Sequence, residues 1–211
     1  MSNISYLPIA RTSAPARVNG NVPPRRRKNS EVRTREHLFP HEVEALKQAC
    51  AKCSRYPARD KTLITVAYTH GLRVSELVAL QWSQVDFANG TLAVSRLKGG
   101  NPATHHLTGE ETRLLRALKR DWTNSRYVFC TERLGPMTTS TVRKMLTKLG
   151  RVAKLEVSVH PHMLRHACGY KLANDAQDTR VIQDYLGHAS ITSTVRYTQL
   201  SAVRFKGLFK D

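Results

Sequence analysis

His160-Pro161-His162-Met163-Leu164-Arg165-His166, then Asp178-Thr179-Arg180-Val181-Ile182-Gln183-Asp184-Tyr185-Leu186-Gly187-His188, and nine residues later Tyr197, form the most informative stretch of this chain. Pro161 suits the first turn of a helix, where its missing N–H leaves no bond unmade. That helix is expected over about 161–173. Asp178 is placed to cap a second helix, whose Val181, Ile182, Tyr185 and Leu186 share a face and which Gly187 ends. A short helix then holds Tyr197, and a last one is expected near 202–209.

Working outward from this stretch, the rest of the chain is mostly helical. Pro40 opens a helix that carries Val43, Leu46, Cys50 and Cys53 on one face. A second covers about 59–70, with Leu63, Ile64, Val66 and Ala67 inward until Gly71 breaks it, and a third covers 74–80. The period then changes from helical to alternating. Residues 85–87, the turn Ala88-Asn89-Gly90, residues 91–94, the turn Lys98-Gly99-Gly100-Asn101 and residues 103–107 read as three short strands. Thr108 and Glu111 form a capping box ahead of Leu114, Leu115 and Leu118. A further helix over about 139–152 carries Val142, Met145, Leu146 and Leu149. The expected fold is mainly α with a small three-stranded antiparallel sheet (α+β), and there is no internal repeat.

Composition bounds the partners. The 211 residues, 40% of them apolar, suffice for one domain with a core and a tail. No uncharged apolar run approaches the roughly 18 residues of a membrane span, and no secretory signal opens the chain. The expected setting is a cytosol, with Cys50, Cys53, Cys130 and Cys168 reduced. Lys and Arg number 34 against 16 Asp and Glu, a net charge of +18. Such an excess points to a polyanion, nucleic acid before an anionic membrane surface; the plain alternative is a basic, solubilised surface. Residues 1–36 hold Arg11, Arg17, Arg25, Arg26, Arg27, Lys28, Arg33 and Arg35 among prolines and few large apolar side chains. They read either as a disordered arm lying on phosphates or as an idle extension.

Metal chemistry finds little support. Cys50 and Cys53 form a C-x-x-C, but no second pair follows and both fall on the apolar face of a helix. His162 and His166 lie one helical turn apart, and no carboxylate or thiol at ligand spacing completes a set. Neither a metal nor a cofactor is expected.

The remaining polar residues are ordinary one at a time. Arg73, in Gly71-Leu72-Arg73-Val74-Ser75-Glu76-Leu77, could pair with Glu76 at the surface. Lys98 could be a solvated turn residue, His188 a cap on a helix C-terminus, and Tyr197 a half-buried aromatic. In combination and in order, Arg73, Lys98, His162 with Arg165, His188 and Tyr197 resemble the tyrosine recombinase, or phage integrase, family over about residues 38–200. That family's pattern is G-L-R-x-S-E-L, a hairpin lysine, H-x-x-R, L-G-H and a tyrosine nine residues beyond. The runs 160–170 and 178–188, with Arg96-Leu97-Lys98-Gly99, are most similar to its short fimbrial phase-switch members. The hydroxyl residue usual after R-H is Ala167 here, at a position expected to pack.

The resemblance implies a catalytic domain over 37–200 and a 3′-phosphotyrosine intermediate with Tyr197 as nucleophile. A phenol with an ordinary pKa near 10 attacks poorly at neutral pH unless its proton is taken and its charge stabilised. Arg73 and Arg165 would grip the non-bridging oxygens bidentately, and His188 would donate another bond. Lys98 would protonate the leaving 5′-oxygen, and His162 would help remove the tyrosine proton. Glu76 would support an arginine or histidine. Neither ATP nor metal is needed, because the phosphotyrosine conserves the bond energy. The partners implied are double-stranded DNA with inverted-repeat sites, a homotetramer on two such sites, and DNA-bending accessory proteins. Residues 201–211, with Val203, Phe205, Leu208 and Phe209, would dock on a neighbouring protomer or fold back on their own. The expected outcome is inversion of a promoter-bearing segment. The alternatives are integration or excision of a mobile element, a non-catalytic DNA-binding protein on the same fold, and a type IB topoisomerase.

Overall fold

The structure, a computed structural model, describes residues 35–96 and 101–199. Lys98 with Gly99 and Gly100, nearly all of the basic arm, and residues 201–211 with their expected helix lie outside the described residues.

Three helices come first: α1 (Pro40–Cys53), α2 (Pro57–Thr69) and α3 (Val74–Ala79). A single 3-10 turn leads into β1 (Val85–Asp86), β2 (Thr91–Val94) and β3 (Ala103–His106). Five helices complete the order: α4 (Gly109–Asp121), α5 (Thr139–Val152), α6 (Pro161–Asn174), α7 (Thr179–Leu186) and α8 (Thr192–Gln199). The strands pair antiparallel in the order β1-β2-β3, with Leu92 opposite Val85 on one side and His105 on the other. The chain is thus mainly helical with one small sheet, as its periodicity implies.

Local chemistry accounts for the boundaries. Pro57 takes the first turn of α2, which therefore begins two residues earlier than Arg59. The Asp86 carboxylate accepts the N–H groups of Ala88 and Asn89 at 2.9 and 3.0 Å, turning the chain before Phe87 can pair. Thr108 and Glu111 form the expected reciprocal cap, with bonds of 3.2 and 3.0 Å. Asp178 caps α7 through the Arg180 N–H at 2.7 Å. Arg35, read from sequence as part of the arm, instead grips Glu42 with two bonds of 2.7 and 2.6 Å, and Glu42 in turn caps Phe39.

The main core joins Val43 and Leu46 of α1, Leu63 and Ile64 of α2, Leu115 of α4, Leu146 of α5 and Leu164 of α6, all buried. Cys50 belongs to it, and its thiol donates to the Leu46 carbonyl within its own helix. A second, smaller cluster holds Cys168, Ala173, Ile182, Leu186 and Tyr197, where α6, α7 and α8 meet. Ala167 packs in the main core. Among the described residues no helix is long and apolar enough to cross a membrane.

Candidate active site

The site is built on the ends of helices. α2 stops at His70, and Gly71 takes a left-handed conformation, φ +56°, to turn the chain toward α3. Arg73 then sits at the N-cap of α3, where the Glu76 carboxylate receives both its backbone N–H at 2.9 Å and its guanidinium at 2.7 Å. Oε2 of Glu76, which takes that backbone N–H, also receives the guanidinium of Arg96 at 3.0 Å. Glu76 lies well below the usual carboxylate range despite its burial, because those backbone and guanidinium bonds favour the anion.

Arg165 comes from the middle of α6 and is only 1% exposed. Its two terminal nitrogens donate to the carbonyls of Gly71 at 2.5 Å and Leu186 at 2.7 Å. Arg96 donates to the neighbouring carbonyl, that of Tyr185. Two cations thus converge on the C-terminal end of α7, where the helix dipole and unpaired carbonyls welcome positive charge. Gly187 closes that helix at φ +63°, and a Cβ there would lie 2.8 Å from the Arg96 side chain. The glycine therefore provides both the turn and the room. Burial, with repulsion from Arg73 and Arg96, lowers Arg165 to about 10, so it still carries its charge at neutral pH. Arg73 and Arg96 pair with Glu76 while Arg165 bonds to carbonyls, so among these described groups positive charge outnumbers negative. Each guanidinium has five N–H donors, so the two bonds of Arg165 to carbonyls leave donors for an anion.

Tyr197 adjoins this cluster from α8. It is 1% exposed, and its hydroxyl lies 2.8 Å from Nδ1 of His166. Burial pushes the phenol up to about 12, against the pull of Arg196 and Arg165. His188 follows α7 and stacks near the Tyr197 ring, with centroids 6.2 Å apart. Its Nδ1 meets the Thr194 hydroxyl at 2.8 Å. Burial and the three arginines lower His188 to about 4. In the tautomer whose Nδ1 accepts the Thr194 hydroxyl, the neutral ring carries its proton on Nε2 and has a donor there. His162 lies on the exposed side of α6 and packs edge-on against His166. Partial desolvation and the charges of Arg165 and Arg196 lower its basicity.

Five of the six residues singled out from sequence are thus among the described residues, and Arg73, Arg165, His188 and Tyr197 are brought together. The sixth, Lys98, lies outside them. Sequence reading gave no role to Arg96 and considered His166 only as half of a metal pair. Neither spacing nor residue type marks them, since their importance comes from burial against Glu76 and Tyr197. The same holds for His70, whose Nδ1 lies 3.1 Å from Nδ1 of His105 and whose Nε2 lies 3.0 Å from Glu111. These three buried groups brace the turn before Arg73 against β3 and α4. Among the described residues no group of three His, Cys, Asp or Glu side chains is placed to hold a metal ion.

In comparison with known proteins, residues 36–204 match the phage integrase family. The chain belongs to that family, the tyrosine site-specific recombinases. Among its relatives is the type 1 fimbriae regulatory protein FimE of Escherichia coli K12, 39% identical over 186 residues, which cover 83% of this chain and 91% of FimE. The crystal structure of XerA recombinase superposes with a TM-score of 0.70 at 29% identity, covering 79% of this chain and 61% of that one. XerH recombinase, in a complex with its difH substrate, shares the fold at a TM-score of 0.68 and 23% identity, over 78% of this chain and 50% of XerH. The recombinase chain therefore spans nearly all of its fimbrial relative but only part of the Xer proteins.

Proposed function

We propose that this recombinase cuts and rejoins double-stranded DNA with Tyr197 as its nucleophile, inverting a short promoter-bearing segment between inverted repeats. The observation that carries the reading is the cluster of three guanidinium groups, Arg73 and Arg96 paired with Glu76 and Arg165 bonded to carbonyls, beside a tyrosine. A phosphodiester would supply the missing negative charge.

In the forward step the Tyr197 oxygen attacks phosphorus. The bond to the 5′-oxygen breaks, leaving a 3′-phosphotyrosine and a free 5′-hydroxyl. Arg73, Arg165 and the Nε2–H of His188 stabilise charge gathering on the non-bridging oxygens. Lys98 delivers the proton to the 5′-oxygen, and His162 accepts the phenolic one. The reverse step, with a 5′-hydroxyl from the partner site, reseals the strand in its new connection. The positive charge comes from guanidinium groups and the bond energy is conserved, so the step draws on neither metal nor ATP.

Residues 35–200 form the catalytic unit, residues 1–34 a phosphate-binding arm, and residues 201–211 a segment that docks on a neighbouring protomer. Four protomers hold two DNA sites, with DNA-bending proteins assisting, in the cytoplasm of a bacterium. The similarity to FimE over most of both chains favours inversion.

The test is to trap covalent protein–DNA adducts in the source genome and sequence the linked ends. Paired inverted repeats, with the intervening segment present in both orientations, are expected. Direct repeats with excised circles would instead favour integration and excision.

A further inference from the structure

Tyr197 is buried on every side. Its ring lies flat on α6, where a Cβ on Gly169 would come within 2.7 Å of it, and Tyr170 meets it edge-on at 5.1 Å. At 1% exposure, its oxygen is out of reach of a phosphate fixed in a polymer as wide as duplex DNA. Attack therefore requires the side chain, or α8 with it, to leave this seat.

Among the described residues, four side-chain polar contacts tie α8 to the rest of the domain: Thr194 to His188 at 2.8 Å, Thr198 to Thr179 at 3.2 Å, Arg196 to Glu36 and Tyr197 to His166. Arg196 meets Glu36 at 3.1 Å, but both groups are about two-fifths exposed, 44% and 39%. Solvent screens such a pair until it is worth little. Thr194 and Thr198 fix the helix, whereas the nucleophile's own hydroxyl makes the 2.8 Å bond to Nδ1 of His166, which is buried and directional. His166 itself is only 3% exposed, and burial among His162, Arg196 and Arg165 keeps it neutral far below its ordinary range. A neutral imidazole beside an unionised phenol makes a good hydrogen bond but a poor proton acceptor. In this seat the pair stores the nucleophile and does not activate it.

We propose that His166 is a positioning residue that latches Tyr197 in its buried seat, so that breaking this bond limits how often the nucleophile reaches the phosphate. This rests on the reading of Tyr197 as nucleophile. Arg165 immediately precedes His166 on α6, so an anion gripped by Arg165 acts next to the latch and offsets the positive charge that helps keep His166 neutral.

The test uses two readouts on the full chain: nitration of the Tyr197 phenol by tetranitromethane, mapped by mass spectrometry, and single-turnover adduct formation on a nicked suicide DNA. His166→Phe keeps a ring and removes the acceptor, whereas His166→Asn places an amide oxygen near the lost Nδ1. Losing a hydrogen bond of ordinary net strength shifts such an equilibrium about fivefold. His166→Phe is expected to raise both the nitration rate and the adduct rate by about that factor, and His166→Asn to return both toward the wild-type rates. Unchanged nitration in a folded His166→Phe protein overturns the latch. So does loss of adduct in that variant with nitration raised, which would make His166 part of the chemistry. If Tyr197→Phe still formed adducts, the nucleophile reading would fall while the nitration results stood on their own.

Discussion

Arg165 shows how much a single side chain can do here. Its guanidinium ties the turn after α2 to the end of α7 through two carbonyls while carrying charge toward the candidate phosphate site. Lysine cannot reproduce the fork. Arg165→Lys is expected to keep most DNA binding, measured by gel shift, and to lose cleavage by at least about a hundredfold, the scale of one removed oxyanion donor. Near-normal cleavage would contradict the assignment. At this scale the sequence was legible wherever a residue belongs to an ordered set, as Arg73, Arg165, His188 and Tyr197 do. It was silent on Arg96, His70 and His105. Their partners Glu76, Glu111 and Tyr185 lie far away in sequence, and only folding reveals a buried charge or a stacked ring.

At the scale of elements, the site depends on where helices stop. Gly71 ends α2 at positive φ, and a Cβ there would lie 2.4 Å from Leu186, the residue whose carbonyl receives Arg165. Gly71→Ala should therefore combine backbone strain of about 1–2 kcal/mol with displacement of α7. A drop in the urea midpoint together with loss of cleavage is expected; lost stability with full cleavage would show that the turn does not position Arg165. The order and type of the elements were legible because capping residues, prolines and glycines punctuate them: Pro40, Thr108, Pro161, Asp178 and Gly187 all mark ends. The end of β1 was not, because the Asp86 side chain competes with the ladder for the backbone. Nor was the second cluster, since nothing in the local pattern of α8 says that Tyr197 faces inward.

At the scale of the whole molecule, buried neutral histidines make the fold sensitive to acid. Burial lowers His105 to about 3 and His188 to about 4, from an ordinary 6.5. Below pH 6.5 the unfolded chain therefore takes up protons that the folded chain refuses. The stabilisation is complete above that pH and is lost progressively as the pH falls, at up to about 1.4 kcal/mol per unit for each such group. Glu76 and Glu111, both lowered, add a further loss below their ordinary range near 4.5. The urea midpoint should fall between pH 7.5 and 5.5, less steeply in His105→Phe; a flat profile would refute this. The net charge of +18 predicts DNA affinity that falls steeply with salt. Deleting residues 1–34, which spares the Arg35–Glu42 pair, should reduce the slope of log affinity against log salt; an unchanged slope would make the arm idle. The central claim, that the assembled pocket delivers Tyr197 to a DNA phosphate, is tested most directly with a nicked suicide substrate made from sites trapped in the source genome. Wild-type protein should form a covalent adduct that withstands denaturation, and Tyr197→Phe should bind the same DNA and form none. Equal adduct from both proteins, or none from either on a verified site, would contradict it.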